Sequence, residues 1–191
     1  MRFVSEIRRM VTVVVAASAL LVAARASAQS VAQPKTWTVS PFLGATLDVS
    51  GEGAGNSLAL GVAGGYDLTR NIGFEGEFSY LFDVTGDTAA IDWSIANFSG
   101  NFVYHFDLRN TKVTPYGTFG LGFEHSSVDF DTDTRDDSAS STEIAFNVGG
   151  GVKYPLTDKL LVRGDLRYFA SNDLAPDFWR VYAGLTFVLG R

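Results

Sequence analysis

The stretch Ile72-Gly73-Phe74-Glu75-Gly76-Glu77-Phe78-Ser79-Tyr80-Leu81-Phe82 decides the fold. Read at period two, Ile72, Phe74, Phe78, Tyr80 and Phe82 share one face, while Gly73, Glu75, Glu77 and Ser79 share the other. Such alternation is that of a β-strand lying between two unlike surroundings. Seven further stretches repeat it, so that strands are expected at 36–47, 57–68, 72–82, 94–106, 113–124, 143–154, 159–169 and 178–188. No segment after residue 35 carries a helical period. The class is all-β, and each strand is near the ~9–11 residues that a tilted strand needs to cross a bilayer.

The chemistry of the two faces separates a membrane barrel from a soluble one. Leu58, Leu60, Val62, Tyr66 and Leu68 oppose Ser57, Ala59, Gly61, Ala63, Gly65 and Asp67, and Leu160, Val162, Leu166 and Tyr168 oppose Leu161, Arg163, Asp165, Arg167 and Phe169. A soluble sandwich gives no reason to crowd glycine onto its polar face, yet that face holds Gly61, Gly65, Gly73, Gly120, Gly122, Gly149, Gly151 and Gly184. Small residues interleaved with charges suit the lumen of an eight-stranded barrel, which has room for side chains only. The apolar face then meets lipid. In the fourth strand Phe98, Phe102, Tyr104 and Phe106 alternate, whereas Trp93 and Ile95 fall out of phase, which predicts a bulge or an extramembrane start.

Connections alternate in length. Asp67–Asn71, Phe106–Lys112 and Tyr154–Asp158 are short; Asp48–Asn56, Asp83–Asp92, Ser126–Thr142 and Ala170–Asp177 are longer and carry twelve acids against the single base Arg135. Short periplasmic turns opposite longer outer loops are the bacterial arrangement. Tyr66, Phe74, Phe106, Tyr154 and Phe187 fall at the short-turn ends, and Tyr80, Phe82, Tyr168 and Trp179 at the long-loop ends, implying two aromatic girdles.

The whole chain has 191 residues with 46% hydrophobic and 19% charged content and no cysteine. Disulfides and thiolate metal sites are excluded, and two histidines exclude an all-histidine zinc triad. Residues 1–28 read as an export signal: Arg8 and Arg9 precede the apolar run Val11–Ala24, and Ala26-Ser27-Ala28 offers a cleavage site. That run is too short to span a bilayer. Residues 29–35 are a short lead, and 36–191 the barrel. Removing 1–28 takes Glu6 and the arginines Arg2, Arg8, Arg9 and Arg25 from 21 acids and 15 bases, leaving 20 against 11, a net charge of −9. Such acidity disfavours nucleic acid as a partner.

The stretches Thr114-Pro115-Tyr116-Gly117, Phe146-Asn147-Val148-Gly149-Gly150-Gly151-Val152-Lys153, Val162-Arg163-Gly164-Asp165-Leu166-Arg167-Tyr168 and Val181-Tyr182-Ala183-Gly184-Leu185-Thr186-Phe187 resemble the outer-membrane β-barrel domain family, the small eight-stranded barrels of OmpA/OmpX type. The resemblance spans roughly 36–191 and implies an up-and-down transmembrane barrel in the bacterial outer membrane, without a periplasmic wall-binding domain. It implies outer-membrane lipid, lipopolysaccharide and the barrel-assembly machinery as partners and says little about function. Barrels of this kind commonly end on an aromatic residue. Here Val188-Leu189-Gly190-Arg191 follow Phe187.

Four constellations invite chemistry. Inward Glu75, Glu77, Glu124, Glu143 and Asp165 with Lys153, Arg163, Arg167 and Arg180 could be acid/base groups, but Arg-x-Asp-x-Arg against Glu-x-Glu reads better as an ion-pair network filling the lumen; its core is Glu75, Glu77, Lys153, Arg163, Asp165, Arg167 and Arg180. His125 with Ser126, Ser127 and Asp129 offers the residue types of a hydrolase triad, yet neighbours along an extended loop are not expected to converge. Asp129-x-Asp131-x-Asp133 resembles the start of a calcium loop, but Thr134 stands where glycine is needed and Ser140 where the bidentate glutamate belongs. With Asp136 and Asp137 it reads as a solvated acidic loop, the most exposed and mobile part of the molecule and the candidate surface for interaction. The pairs such as Gly120-x-Gly122 lie mid-strand, so phosphate binding is unsupported.

The sequence therefore predicts a monomeric outer-membrane barrel without catalytic residues, metal or cofactor, acting as an envelope component or through its outer loops in adhesion or resistance. A soluble lipocalin-like ligand-binding barrel would require the reverse facing. An outer-membrane lipid-modifying enzyme would require a convergent triad, and a passive pore an open interior.

Overall fold

The computed structural model describes residues 32–48, 57–82, 91–108, 111–132, 135–171 and 177–190; the proposed signal segment lies outside them. Eight strands follow one another: β1 (Thr36–Asp48), β2 (Leu58–Asp67), β3 (Ile72–Phe82), β4 (Ile91–His105), β5 (Thr114–Thr132), β6 (Arg135–Pro155), β7 (Leu160–Ser171) and β8 (Phe178–Gly190). Each pairs antiparallel with its sequence neighbour, and β1 pairs with β8 to close the barrel. Closure leaves every strand within the wall bonded on both sides, which a bilayer demands because it offers no water to unpaired backbone.

The two faces differ as the alternation predicts. Leu60, Val62, Phe74, Phe78, Phe98, Phe102, Phe119, Leu121 and Phe123 lie exposed on the outside, whereas Glu75, Glu77, Asn97, Glu124, Arg163, Arg167 and Arg180 are buried inside. Aromatic pairs stand at the expected ends. Trp37 meets Tyr66 at 4.7 Å and Tyr104 meets Phe106 at 5.1 Å toward the short turns, while Tyr168 meets Trp179 at 5.2 Å and Tyr80 meets Phe82 at 4.7 Å toward the opposite rim. Inward glycine is a matter of space. A Cβ at Gly61 would run into the Phe42 ring, and one at Gly120 into the side chains of Asn101 and Asn147.

The register revises two expectations. Of the two readings of β4 the bulge is absent, its pairing with β3 and β5 running unbroken, whereas the strand does start early, with Ile91–Ser94 paired to β5 alone; Ile95 is fully buried in the lumen because its inward neighbours there are apolar. The segment Ser126–Thr142 is also not a loop. β5 and β6 continue as a hairpin up to the connection 133–134, and β6 from Arg135 to Ile144 extends beyond its pairing with β7, which begins at Ala145. No glycine or proline occurs from Phe123 through Val148, so nothing breaks the ladder. Across the hairpin, register places Asp129 opposite Ser138, Phe130 opposite Asp137 and Asp131 opposite Asp136, while on its other side Asp129 faces Asp92 of β4.

Candidate functional site

The lumen is built in layers, each set by inward positions of strands brought across from opposite walls. In the middle, Arg163 on β7 donates to both oxygens of Glu75 on β3, at 2.6 and 3.2 Å, and to Asp165 at 2.9 Å. Arg167, two inward positions further along β7, reaches Glu75, Glu77 and Asp165, each at 3.0 Å. Arg180 on β8 pairs with Glu77 and donates to Ser79 at 2.7 Å. Each of these three carboxylates is thus held by two guanidiniums, which are all fully buried and tie β3 to β7 and β8. Tyr116 donates to Asp165, and Tyr182 donates to the same carboxylate at 2.7 Å. Both phenol rings lie under Arg163, at 5.3 and 5.6 Å. Paired, hydrogen-bonded and stacked, the charges meet the conditions under which buried ions persist.

Lys153 belongs to the layer near the short turns rather than to that network. Its Nζ donates to His105 Nε2 at 3.1 Å, and Asp67 stands 3.9 Å from His105 Nδ1. Beside them a cavity of about 170 Å³ is lined by Thr36, Thr38, Asp67, Lys153 and Thr186.

Sequence reasoning placed Ala59, Ser79, Leu161 and Phe169 on the inner face but missed Phe42, Leu81, Ile95, Phe178 and the lumen asparagines. Toward the outer rim Ala59, Leu81, Ile95, Phe169 and Phe178 form a buried apolar cluster, with Phe169 and Phe178 stacked at 5.1 Å and Arg180 lying 4.4 Å over Phe169. Phe42 stacks on Tyr182 at 4.3 Å, and Asn147 donates to Asn101 at 2.9 Å. Large apolar residues on the otherwise polar face, Phe42, Ile95, Phe169 and Phe178, were the available signal. Glu124 is buried and Glu143 half-buried, both apart from the guanidinium network.

His125 lies exposed on the outside of the extended hairpin. Its Nδ1 is 2.8 Å from Thr142 Oγ1, and Ser127 Oγ is 3.5 Å from Nε2. Strand geometry places His125 and Ser127 on one face and Ser126 on the other. Asp133 lies outside the described residues, and of Asp129, Asp131, Asp136 and Asp137 only the backbone positions are described. Among the described residues no three His, Cys, Asp or Glu side chains gather as a metal site.

A closed eight-stranded antiparallel barrel, apolar outside and filled with paired charges, is a transmembrane barrel of the outer-membrane class. The chain belongs to the outer membrane protein beta-barrel domain family, whose model matches residues 14–187, and it is a bacterial outer-membrane protein. Among solved structures it is similar to Neisserial surface protein A, with 19% identity, a TM-score of 0.64 and coverage of 80% of this chain and 96% of that one. Ail, the attachment invasion locus protein of Yersinia pestis, in complex with the heparin analogue sucrose octasulfate, gives 16% identity, a TM-score of 0.55 and coverage of 82% and 98%. OprG of Pseudomonas aeruginosa gives 16%, 0.52, 83% and 98%. At these identities the likeness is one of fold. No curated protein matches the chain in sequence.

Proposed function

We propose that the protein is a non-enzymatic, monomeric envelope component that presents its β5–β6 hairpin at the cell surface while a filled lumen keeps the barrel shut. The observation that supports this reading best is the inequality of the strands: β5 and β6 have 19 and 21 residues, against 10 and 11 in β2 and β3. The wall needs about 10 residues per strand, so the surplus projects from the rim. Outer-membrane lipid and lipopolysaccharide surround the wall, the assembly machinery inserts it after removal of residues 1–28, and neither cofactor nor nucleic acid takes part. In this reading the lumen charges Glu75, Glu77, Arg163, Asp165, Arg167 and Arg180, together with Lys153 in its own layer, serve structure, and Asp129, Asp131, Asp133, Asp136 and Asp137 form the surface that meets a partner.

The sign of that surface bears on the partner. Ail was solved with a sulfated, polyanionic ligand, whereas the present hairpin carries five aspartates against Arg135 alone. Like charges repel over several ångströms at low salt, so a basic or cation-bridged partner fits better than a polyanion. Replacing 129–140 by a short glycine-containing turn is expected to leave outer-membrane assembly and heat resistance unchanged, because the removed pairing lies beyond the wall. Binding of cells to a basic ligand such as polylysine-coated beads should fall with it. Loss of folding on shortening, or unaltered binding, contradicts the surface role.

A further inference from the structure

Among the described residues, the one lumen carboxylate with a buried oxygen that has no hydrogen-bond partner is Glu124, toward the outer mouth. Arg163, Arg167 and Arg180 face Glu75, Glu77 and Asp165, and Lys153 lies near Asp67 across His105. Beyond these layers Glu124 on β5 and Glu143 on β6 are direct register partners, and Glu124 is paired in turn with Asn97 on β4. The three form one inward row across adjacent strands. Glu124 is 2% exposed with its Oε1 unpartnered, and Asn97 is 1% exposed with neither amide atom hydrogen-bonded. Ser141 donates to Glu143 at 3.3 Å. The guanidinium whose field reaches Glu124 is that of Arg180, and its two terminal nitrogens are already engaged by Ser79 and Glu77. Asp177, the other carboxylate felt there, accepts from Tyr168 at 2.6 Å.

Like charges directly opposed across a strand pair are unfavourable, and buried polar atoms without partners cost more. The row offers only oxygen to a cation: two carboxylates, an amide carbonyl and a hydroxyl. Calcium accepts such hard donors in flexible geometry and completes its six to eight positions with water. We propose that Asn97, Glu124 and Glu143, with the Ser141 hydroxyl beside them, bind one calcium ion in the outer mouth of the lumen. Two negative charges match one divalent ion, and the Asn97 carbonyl takes the place of a third carboxylate. The ion would join β4, β5 and β6 where the hairpin leaves the wall.

Calorimetric titration of the refolded barrel in detergent micelles with calcium chloride tests this. One ion per barrel is expected, with affinity at least tenfold weaker in Glu124→Gln and in Glu143→Gln, and unchanged in the hairpin variant Asp136→Asn/Asp137→Asn. Gel mobility without boiling verifies that each variant is folded, and the half-buried Glu143 supplies a usable variant if Glu124→Gln does not fold. No uptake by the native barrel, equal uptake in both glutamine variants, or loss of uptake in the hairpin variant alone overturns the proposal.

Discussion

Arg167→Ala is expected to lower the unfolding free energy of the barrel, measured by urea titration in lipid vesicles, by about 3–5 kcal/mol, the range for breaking a buried ion pair from one side. Arg167 is the junction of the network, touching Glu75, Glu77 and Asp165. Its removal leaves three buried carboxylates on two guanidiniums. Arg163→Ala also leaves three carboxylates on two guanidiniums, with Glu75 and Asp165 staying on Arg167 and Glu77 on Arg180, so a loss of similar size is expected there. Arg167→Lys should recover only part, because one ammonium lacks the planar fork that reaches several carboxylates together. A loss under 1 kcal/mol for Arg167→Ala would mean that water, not Arg167, solvates these acids.

The second large effect concerns the outer face. Val62 stands at the middle of β2, exposed, between Pro41 of β1 and Phe78 of β3. Val62→Arg is expected to destabilise the vesicle-embedded barrel by about 2–4 kcal/mol, as for an arginine at the bilayer midplane. Val162→Arg should cost less, since Val162 pairs with Tyr154 close to the lower girdle. The same two variants in a detergent of short chain length should differ less, because a thin micelle lets the guanidinium reach water. Equal tolerance of arginine at both sites in vesicles contradicts the assigned depth.

Period-two alternation made the strands and their two faces legible because each face records a single solvent over many residues. Glu75 and Arg163 were readable as inward and opposite in sign, yet that they meet depends on the stagger between β3 and β7, which are not neighbours in the wall. Ile95 misled because an apolar residue on the polar face reads as a phase error until Leu81, Phe169 and Phe178 are seen to converge on it. The acidic run misled for a different reason. Charge density suggested a loop, whereas the absence of glycine and proline from Phe123 to Val148, equally visible, was the better guide. Asn97 and Glu124 carried no signal as a pair, because only the β4–β5 register sets them side by side.

Digestion of intact cells with trypsin tests most directly the claim that the β5–β6 hairpin faces outward from a sealed barrel. Arg135 is the one basic residue of the β5–β6 hairpin beyond the wall, while Arg163, Arg167 and Arg180 are buried in the lumen and Arg70, Lys112 and Lys159 lie at the short turns of the opposite end. The account predicts a single cut after Arg135, dividing the mature chain into 29–135 and 136–191, with cuts at the turns only after the outer membrane is permeabilised. Cleavage at Arg70, Lys112 or Lys159 in intact cells while Arg135 stays whole would contradict it.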